Sequence, residues 1–581
     1  MKHSSNLKKL AVAVSLLSGS QAALALTPWV NGAPDFVVYT SGGAAQDNAI
    51  LAGVTSILAA SGTVDIFQDT VSGSVRVSGS TTTKATNGGN FTAYYFTGAG
   101  TGANAPIAGS GLSDSTLAGK KILLVKRTLG AAGYGVIPLV SGQNLDQLNP
   151  FKSTTSQAST GWKNSGTTHL ATINNSTAST YLTQVPSQGG FLGVDAPSLL
   201  TGLNYPTQVT EVSTNALTTP WSTTVGVAAL NSAVTRIPTG GEVYGVAVTD
   251  SLYNVLQAAE IAAGTLTLPS GHSVGAYSSD ADLPTLSRSL VASLLAGEIL
   301  SWTDVNVNVG GTLQSLYSFS TATGVTAPTS PAVAVALRNQ GAAVGALHYA
   351  KFLGYPYAAN ATAPAISNAT PDGSGESSAF PLIKLPISSS DTDNTLNDWQ
   401  YGDNVTGHNS NGTSGAAGSY PTYWGLGINT ADRNTTSSGF RYVKIDGVAP
   451  TVANVQAGAY PIWGEGEVTI SNNSSITNGQ TLTFLTDFAH ALSNKVTAAA
   501  IDPTFVQPYG GIPGIFATPS TDTTDYVDAN GASGGTTTFV PGAVTPYFAP
   551  FSHEVSGHTT IGIVPAAVDG TGNNEPVVLL H

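Results

Sequence analysis

The chain has 581 residues, enough for two or three domains that each bury a sizeable core. Charged residues make up only 9% and the formal charge is -13, so no basic surface for a polyanion is expected and nucleic acid is not among the expected partners. Cysteine is absent, which excludes disulfides, thiolate metal sites, covalent haem and a lipidated N-terminal cysteine.

The chain opens on basic Lys2, Lys8 and Lys9, an apolar run from Leu10 to Leu17, and the small-residue site Ala23-Leu24-Ala25. This is the pattern of a signal peptide over residues 1–25, so the product is expected to be exported, periplasmic or secreted, from about Leu26. The apolar run is too short to span a bilayer. No later stretch reaches about 18 uninterrupted apolar residues, so no transmembrane segment is expected in the mature chain.

Asp35 to Thr40 (DFVVYT) reads as a buried strand, and Ser41-Gly42-Gly43 leads into a helical stretch from about Ala45 to Ala60. A helix N-terminus presents unpaired N–H groups and the positive end of the dipole, an anion site that needs no charged side chain. The glycines let the backbone approach a ligand, while the Thr40 and Ser41 hydroxyls either donate to an oxyanion or cap the helix. Lys121 to Lys126 (KILLVK) reads as a second buried strand, closed by a Lys126-Arg127 pair that reads as a solvated face. Asp195 in GVDAPSLL either contacts a ligand or caps a helix beginning at Pro197.

Tyr244 to Val248 is a third strand, followed by helical patterns at Ser251 to Ala262, Ser287 to Leu295 and Ala342 to Phe352. Short buried strands alternating with helices predict an α/β architecture with mostly parallel or mixed sheets. Between them Val75 to Asn90, Ser153 to Ser179, Asn360 to Ser378 and Ser388 to Ser419 are rich in Gly, Ser, Thr and Asn and read as loops or insertions. After about Ala500 the chain is aromatic and Pro/Gly-rich, in the manner of a strand-and-loop extension.

Taken together, DFVVYTSGGAAQDNAI, KILLVKRTLGAAGYGVIPL, GGFLGVDAPSLL, LAGEILSWTDVN, AVALRNQGAAVGAL and DGVAPTVANVQAGAYPIWGE resemble phosphate ABC-transporter substrate-binding proteins. The order of the segments agrees with that family from Asp35 to about Asn494, in the manner of a divergent proteobacterial-type member. The resemblance implies a two-lobed type II periplasmic binding protein with hinge strands, closing on a small ligand in the interlobe cleft. It implies a first lobe from 26 to 240, a second from 241 to 440 with a polar insertion at 360–420, a return to the first lobe at 441–500, and a C-terminal extension at 501–581.

Carried over residue by residue, Thr40, Ser41, Gly42 and Gly43 match the loop that holds the oxyanion. Asp195 matches an acidic position that accepts a proton from a protonated phosphate, and Arg338 matches the second-lobe arginine, suited to two charge-assisted bonds. A carboxylate at the first of these repels a fully ionised anion such as sulfate. Here the sequence departs from the family's Arg-Ser-Asp-Gly-Ser-Gly-Thr, reading Arg338-Asn339-Gln340-Gly341-Ala342-Ala343-Val344. Each lost hydrogen bond to a buried charged ligand costs on the order of 1.5–3 kcal/mol, so two or three losses are expected to weaken phosphate binding by several powers of ten. Asn339, Gln340 and backbone N–H groups remain as donors. Glu465, close to Trp463, reads as a rim or hinge residue.

His553-Glu554-Val555-Ser556-Gly557-His558 invites comparison with the zinc protease motif, but the histidines are five apart and not four. No nucleophile elbow, Walker A loop or dinucleotide fingerprint stands out, so neither an enzyme nor a cofactor or metal is expected. Two functions remain. One is an exported binding protein for a phosphate-like oxyanion that delivers to an ABC permease. The other is a surface, structural or adhesive protein that reuses the fold, with cell-surface material as its partner.

Overall fold

The computed structural model describes residues 32–77, 80–100, 111–152, 162–206, 209–212, 216–218, 225–358, 361–366, 380–409, 418–431, 433, 438–451, 454–455, 459–493 and 515–516. The expected signal peptide, the His553 to His558 motif and all of the expected C-terminal extension except Ile515–Phe516 lie outside them.

The first half begins with β1 (Phe36–Gly42), a helix α1 (Asp47–Gly53), and a hairpin of β2 (Asp65–Val77) and β3 (Ser80–Thr97). It continues with β4 (Lys121–Arg127), β5 (Lys163–Ser165), β6 (Thr168–Ala171) and β7 (Gly189–Leu192). A long strand β8 (Val234–Thr249) then enters the second half, which holds helices α2 (Asp250–Ala263) and α3 (Arg288–Leu295), strand β9 (Ala334–Ala336) and helix α4 (Ala343–His348). Strand β10 (Leu382–Lys384), helix α5 (Ser389–Tyr401) and strands β11 (Gly425–Thr430) and β12 (Phe440–Tyr442) complete it. The chain returns by β13 (Trp463–Ser471) and ends on α6 (Gly479–Ser493).

One mixed sheet runs in the order β10-β9-β11-β8-β13-β7-β1-β4-β3-β2-β6-β5. The buried runs DFVVYT and KILLVK lie side by side and parallel, Phe36 opposite Ile122 and Ser41 opposite Arg127. On the other side β1 pairs β7 in parallel, Thr40 opposite Gly189. In the second half β9 is parallel to both β10 and β11. Strands buried on both faces read as continuous apolar runs, and this is why these segments were legible.

Two antiparallel strands cross between the halves. Val234 to Pro238 of β8 pair with Glu467 to Ser471 of β13, whose other edge pairs with β7 of the first half. After a bulge between Pro238 and Gly241, β8 pairs Tyr244 to Val248 with β11 of the second half. The protein is thus a two-lobed α/β fold with a pair of hinge strands. Glu465 sits at the bulge, opposite Gly241, and is buried.

In the first lobe, α1 and α6 cover one sheet face through Ile50, Phe484, Phe488 and Leu492 packed on Val38, Leu124 and Phe191. Phe67, Tyr95, Leu123 and Trp162 fill the other face. The largest cluster runs through both lobes without a break, joining Ala132, Tyr134, Val194 and Leu199 to Tyr244, Ala343, Val344 and Leu347. The lobes are therefore packed against each other by apolar contact.

Four expectations need correction. Val75 to Asn90 is no loop but belongs to the β2–β3 hairpin, with Val77 opposite Ser80, and β2 comes into contact with α5 of the other lobe. Thr-rich stretches satisfy a strand because branched Cβ atoms suit the pleated surface. Within Ser153 to Ser179, Lys163–Ser165 and Thr168–Ala171 form strands, and Ser388 to Ser419 begins with α5, 13 residues long. The Lys126-Arg127 pair is not solvated: both residues are buried.

Candidate functional site

The first wall of the interlobe cleft forms where β1 ends. Thr40 and Ser41 are fully buried, and neither caps α1, which begins after Gln46 without a side-chain cap. The Thr40 hydroxyl donates to the Val125 carbonyl at 2.7 Å and the Ser41 hydroxyl to the Tyr134 carbonyl at 2.6 Å. Both hydroxyls tie the loop down. At Gly42 φ is +134°, and a Cβ would lie 2.1 Å from the Phe191 carbonyl oxygen, so only glycine lets the chain turn here. Gly43, Ala44 and Ala45 then reach the cleft.

Lys126 holds that loop from behind. Its ammonium donates to the Gly43 carbonyl at 2.8 Å and to the Thr128 hydroxyl at 2.6 Å, and it pairs with Asp47. Burial pulls its pKa down, an effect that Asp47 opposes. Arg127 is held by stacking on Tyr134 and Phe91, with ring centroids 5.2 and 5.9 Å from its guanidinium carbon, and by the Leu129 and Asp146 carbonyls.

The second wall carries Arg338 at the end of the β9 strand run, 4% exposed. Its guanidinium donates to the Pro386 carbonyl at 3.3 Å and the Ser389 hydroxyl at 3.4 Å. Among the described residues no carboxylate forms an ion pair with it. Asp391 accepts from the Ile387 N–H at 2.9 Å and faces His408, and Asp393 pairs with Arg433 at 2.6 Å. Burial lowers the Arg338 pKa to about 10 against the field of Asp391. Asn339 and Gln340 are buried beside it, and Asn339 Oδ1 has no hydrogen-bond partner among the described residues.

Between the walls lies a recess with about 20 Å³ of room for a water-sized body, close to the roughly 10–15 Å³ that one water needs. It takes only a few heavy atoms without the lobes parting. Gly43 is the part of the first loop that lines it, together with Arg338, while Thr40, Ser41, Gly42, Asp195, Asn339 and Gln340 do not. Asp195 is buried and accepts from the Ser198 hydroxyl at the start of a 3₁₀ turn, Ala196–Leu200, without capping it through its side chain.

Sequence reasoning missed Thr128, Ser388 and Ser389, which also line the recess. Ser388 is the N-cap of α5, its hydroxyl accepting from the Asp391 N–H at 3.1 Å. The Ser-Ser-Ser-Asp run before an acidic residue was the available signal. Hydroxyls absent from Ala342 and Val344 thus reappear on the neighbouring helix start. Together these groups offer one buried cation, hydroxyls from both lobes and the positive end of a 13-residue helix.

No family model and no curated protein matches the chain. Its neighbours among solved structures are phosphate ABC transporter substrate-binding proteins. One, from Clostridium perfringens and solved with bound phosphate, is 10% identical with a TM-score of 0.28, the match covering 63% of this chain and 94% of that one. An ABC-type phosphate transport receptor from Vibrio cholerae is 11% identical with a TM-score of 0.25, covering 60% and 88%. The strand order with its two crossing strands carries the fold assignment. Among the described residues, no helix is long and apolar enough to cross a membrane, and no group of three or more His, Asp or Glu could hold a metal ion.

Proposed function

We propose that this chain is an exported solute-binding protein that takes a small oxyanion in its interlobe recess and passes it to an ABC permease. The observation that supports this reading is Arg338, a buried guanidinium with no ion pair among the described residues, on the wall of a recess that opens between two lobes. An unpaired buried charge is costly, and an anion in the recess offsets that cost. The hydroxyls of Thr128, Ser388 and Ser389 supply neutral donors around it, while the Gly43 N–H is held by the Phe191 carbonyl. Thr40, Ser41 and Gly42 act by fixing the loop, and Asn339 and Gln340 by packing beside the arginine.

Titration calorimetry with phosphate and with sulfate tests this reading: heat with wild type that is lost in Arg338→Met supports it. The absence of heat from either anion at millimolar concentration refutes it. Sequencing the N-terminus of the secreted or periplasmic protein tests export, with a start near Leu26 expected.

The surface or structural role is favoured by one observation, the apolar packing of Ala343 and Val344 into a core that joins the lobes. A purified protein that polymerises or binds cell-surface material and takes no anion would establish that role instead.

A further inference from the structure

The recess mixes polar and apolar lining from both lobes. Arg338, Ser388 and Ser389 face it from the second lobe and Thr128 from the first, while Ala131, Ala132, Ala342, Val344 and Ile387 present methyl groups. No carboxylate lines it, so no charged acceptor reads a proton on the anion. A bare inorganic oxyanion would turn at least one oxygen toward methyl groups, and a desolvated oxygen without a donor is unfavourable. Ile387 is 47% exposed and stands where the recess meets solvent.

Resting on the oxyanion reading, we infer that the natural ligand is an oxyanion with a short apolar substituent, an alkyl phosphonate or alkyl sulfonate. Its charged head meets Arg338 and Ser389, and its carbon chain leaves along Ile387. The small volume fits this division, because only the head has to be enclosed. Apolar contact then supplies affinity that the hydroxyls of the family pattern supply elsewhere: each buried methylene adds roughly fourfold.

Calorimetric titration with four probes, phosphate, ethylphosphonate, sulfate and ethanesulfonate, tests the inference. Each ethyl compound is expected to bind on the order of tenfold more tightly than its inorganic counterpart. The ratio between the phosphonate and the sulfonate tells which head group the site prefers. Ile387→Ser, at a half-exposed position that folding tolerates, is expected to lower the ratio of substituted to inorganic affinity severalfold. Inorganic anions binding as tightly as the ethyl compounds would overturn this inference and leave the oxyanion reading standing. No binding by any of the four would overturn both.

Discussion

The Gly133 N–H donates to the Gly341 carbonyl at 2.9 Å, a backbone hydrogen bond from one lobe to the other. Gly341 in turn donates to the Asn204 carbonyl at 2.8 Å, and Pro206 lies against both glycines. Leu203 donates to the Tyr355 hydroxyl at 2.7 Å. The segment after β7 therefore works as a latch that closes the cleft without using the ligand.

This latch predicts a compact protein in solution without ligand. Gly341 has φ +81°, and a Cβ there would lie 3.1 Å from Pro206. Gly341→Ala is expected to cost about 1–2 kcal/mol through the left-handed conformation alone and to loosen the latch. Small-angle scattering should show a larger radius of gyration for the variant than for the wild type. An open wild type with an identical profile would mean that these bonds do not govern closure.

Arg338→Met separates binding from stability. Loss of two charge-assisted hydrogen bonds to the anion lowers affinity on the order of a hundredfold. Folding without ligand should be unchanged or stabilised by about 1–3 kcal/mol, because a buried charge without an ion pair is removed. A large destabilisation, measured by urea unfolding, would show that Arg338 is structural.

Asp195→Asn tests whether the acidic position reads a proton on the ligand. Asp195 does not line the recess and accepts from Ser198, so the ratio of phosphate to sulfate affinity should change by less than about threefold. A shift of about tenfold or more would return proton sensing to this residue.

Glu260 makes the fold less stable as the pH rises from about 4.5 to about 7. Burial raises its pKa from 4.5 to about 7, against the Thr285 N–H that it accepts at 2.6 Å and the charge of Lys444. A raised carboxyl pKa means that its contribution is fully present below about pH 4.5 and is lost as the pH rises through about 7. At about 1.4 kcal/mol per unit, the loss is no more than about 3.5 kcal/mol. Glu260→Gln should melt above wild type at pH 8 and close to it at pH 4, and parallel melting curves at both would contradict the assignment.

The legible parts of the fold were those whose chemistry matched their burial. DFVVYT and KILLVK each carry an uninterrupted apolar stretch, Phe36 to Tyr39 and Ile122 to Val125, and became the parallel pair at the centre of the first lobe. Helix α5 has the right period, burying Thr392, Thr395, Leu396 and Trp399, but two of the four are threonine and the stretch read as a loop. The hinge strand was visible only from Tyr244 on, because Pro238 and the glycines after it interrupt the apolar run where the structure has a bulge. In the site, Arg338 and the Gly43 loop were legible as a pattern. Thr128 and Ser389 were not, since the tertiary fold alone brings residues from distant segments to one recess.

The most direct measurement is a crystal structure of the protein soaked with arsenate, whose anomalous scattering locates the ion. The account predicts a peak between the Gly43 to Ala45 loop and the Arg338 guanidinium, with Ser389 in hydrogen-bond distance. A peak elsewhere, or none in the cleft while the lobes stand as described, would contradict it.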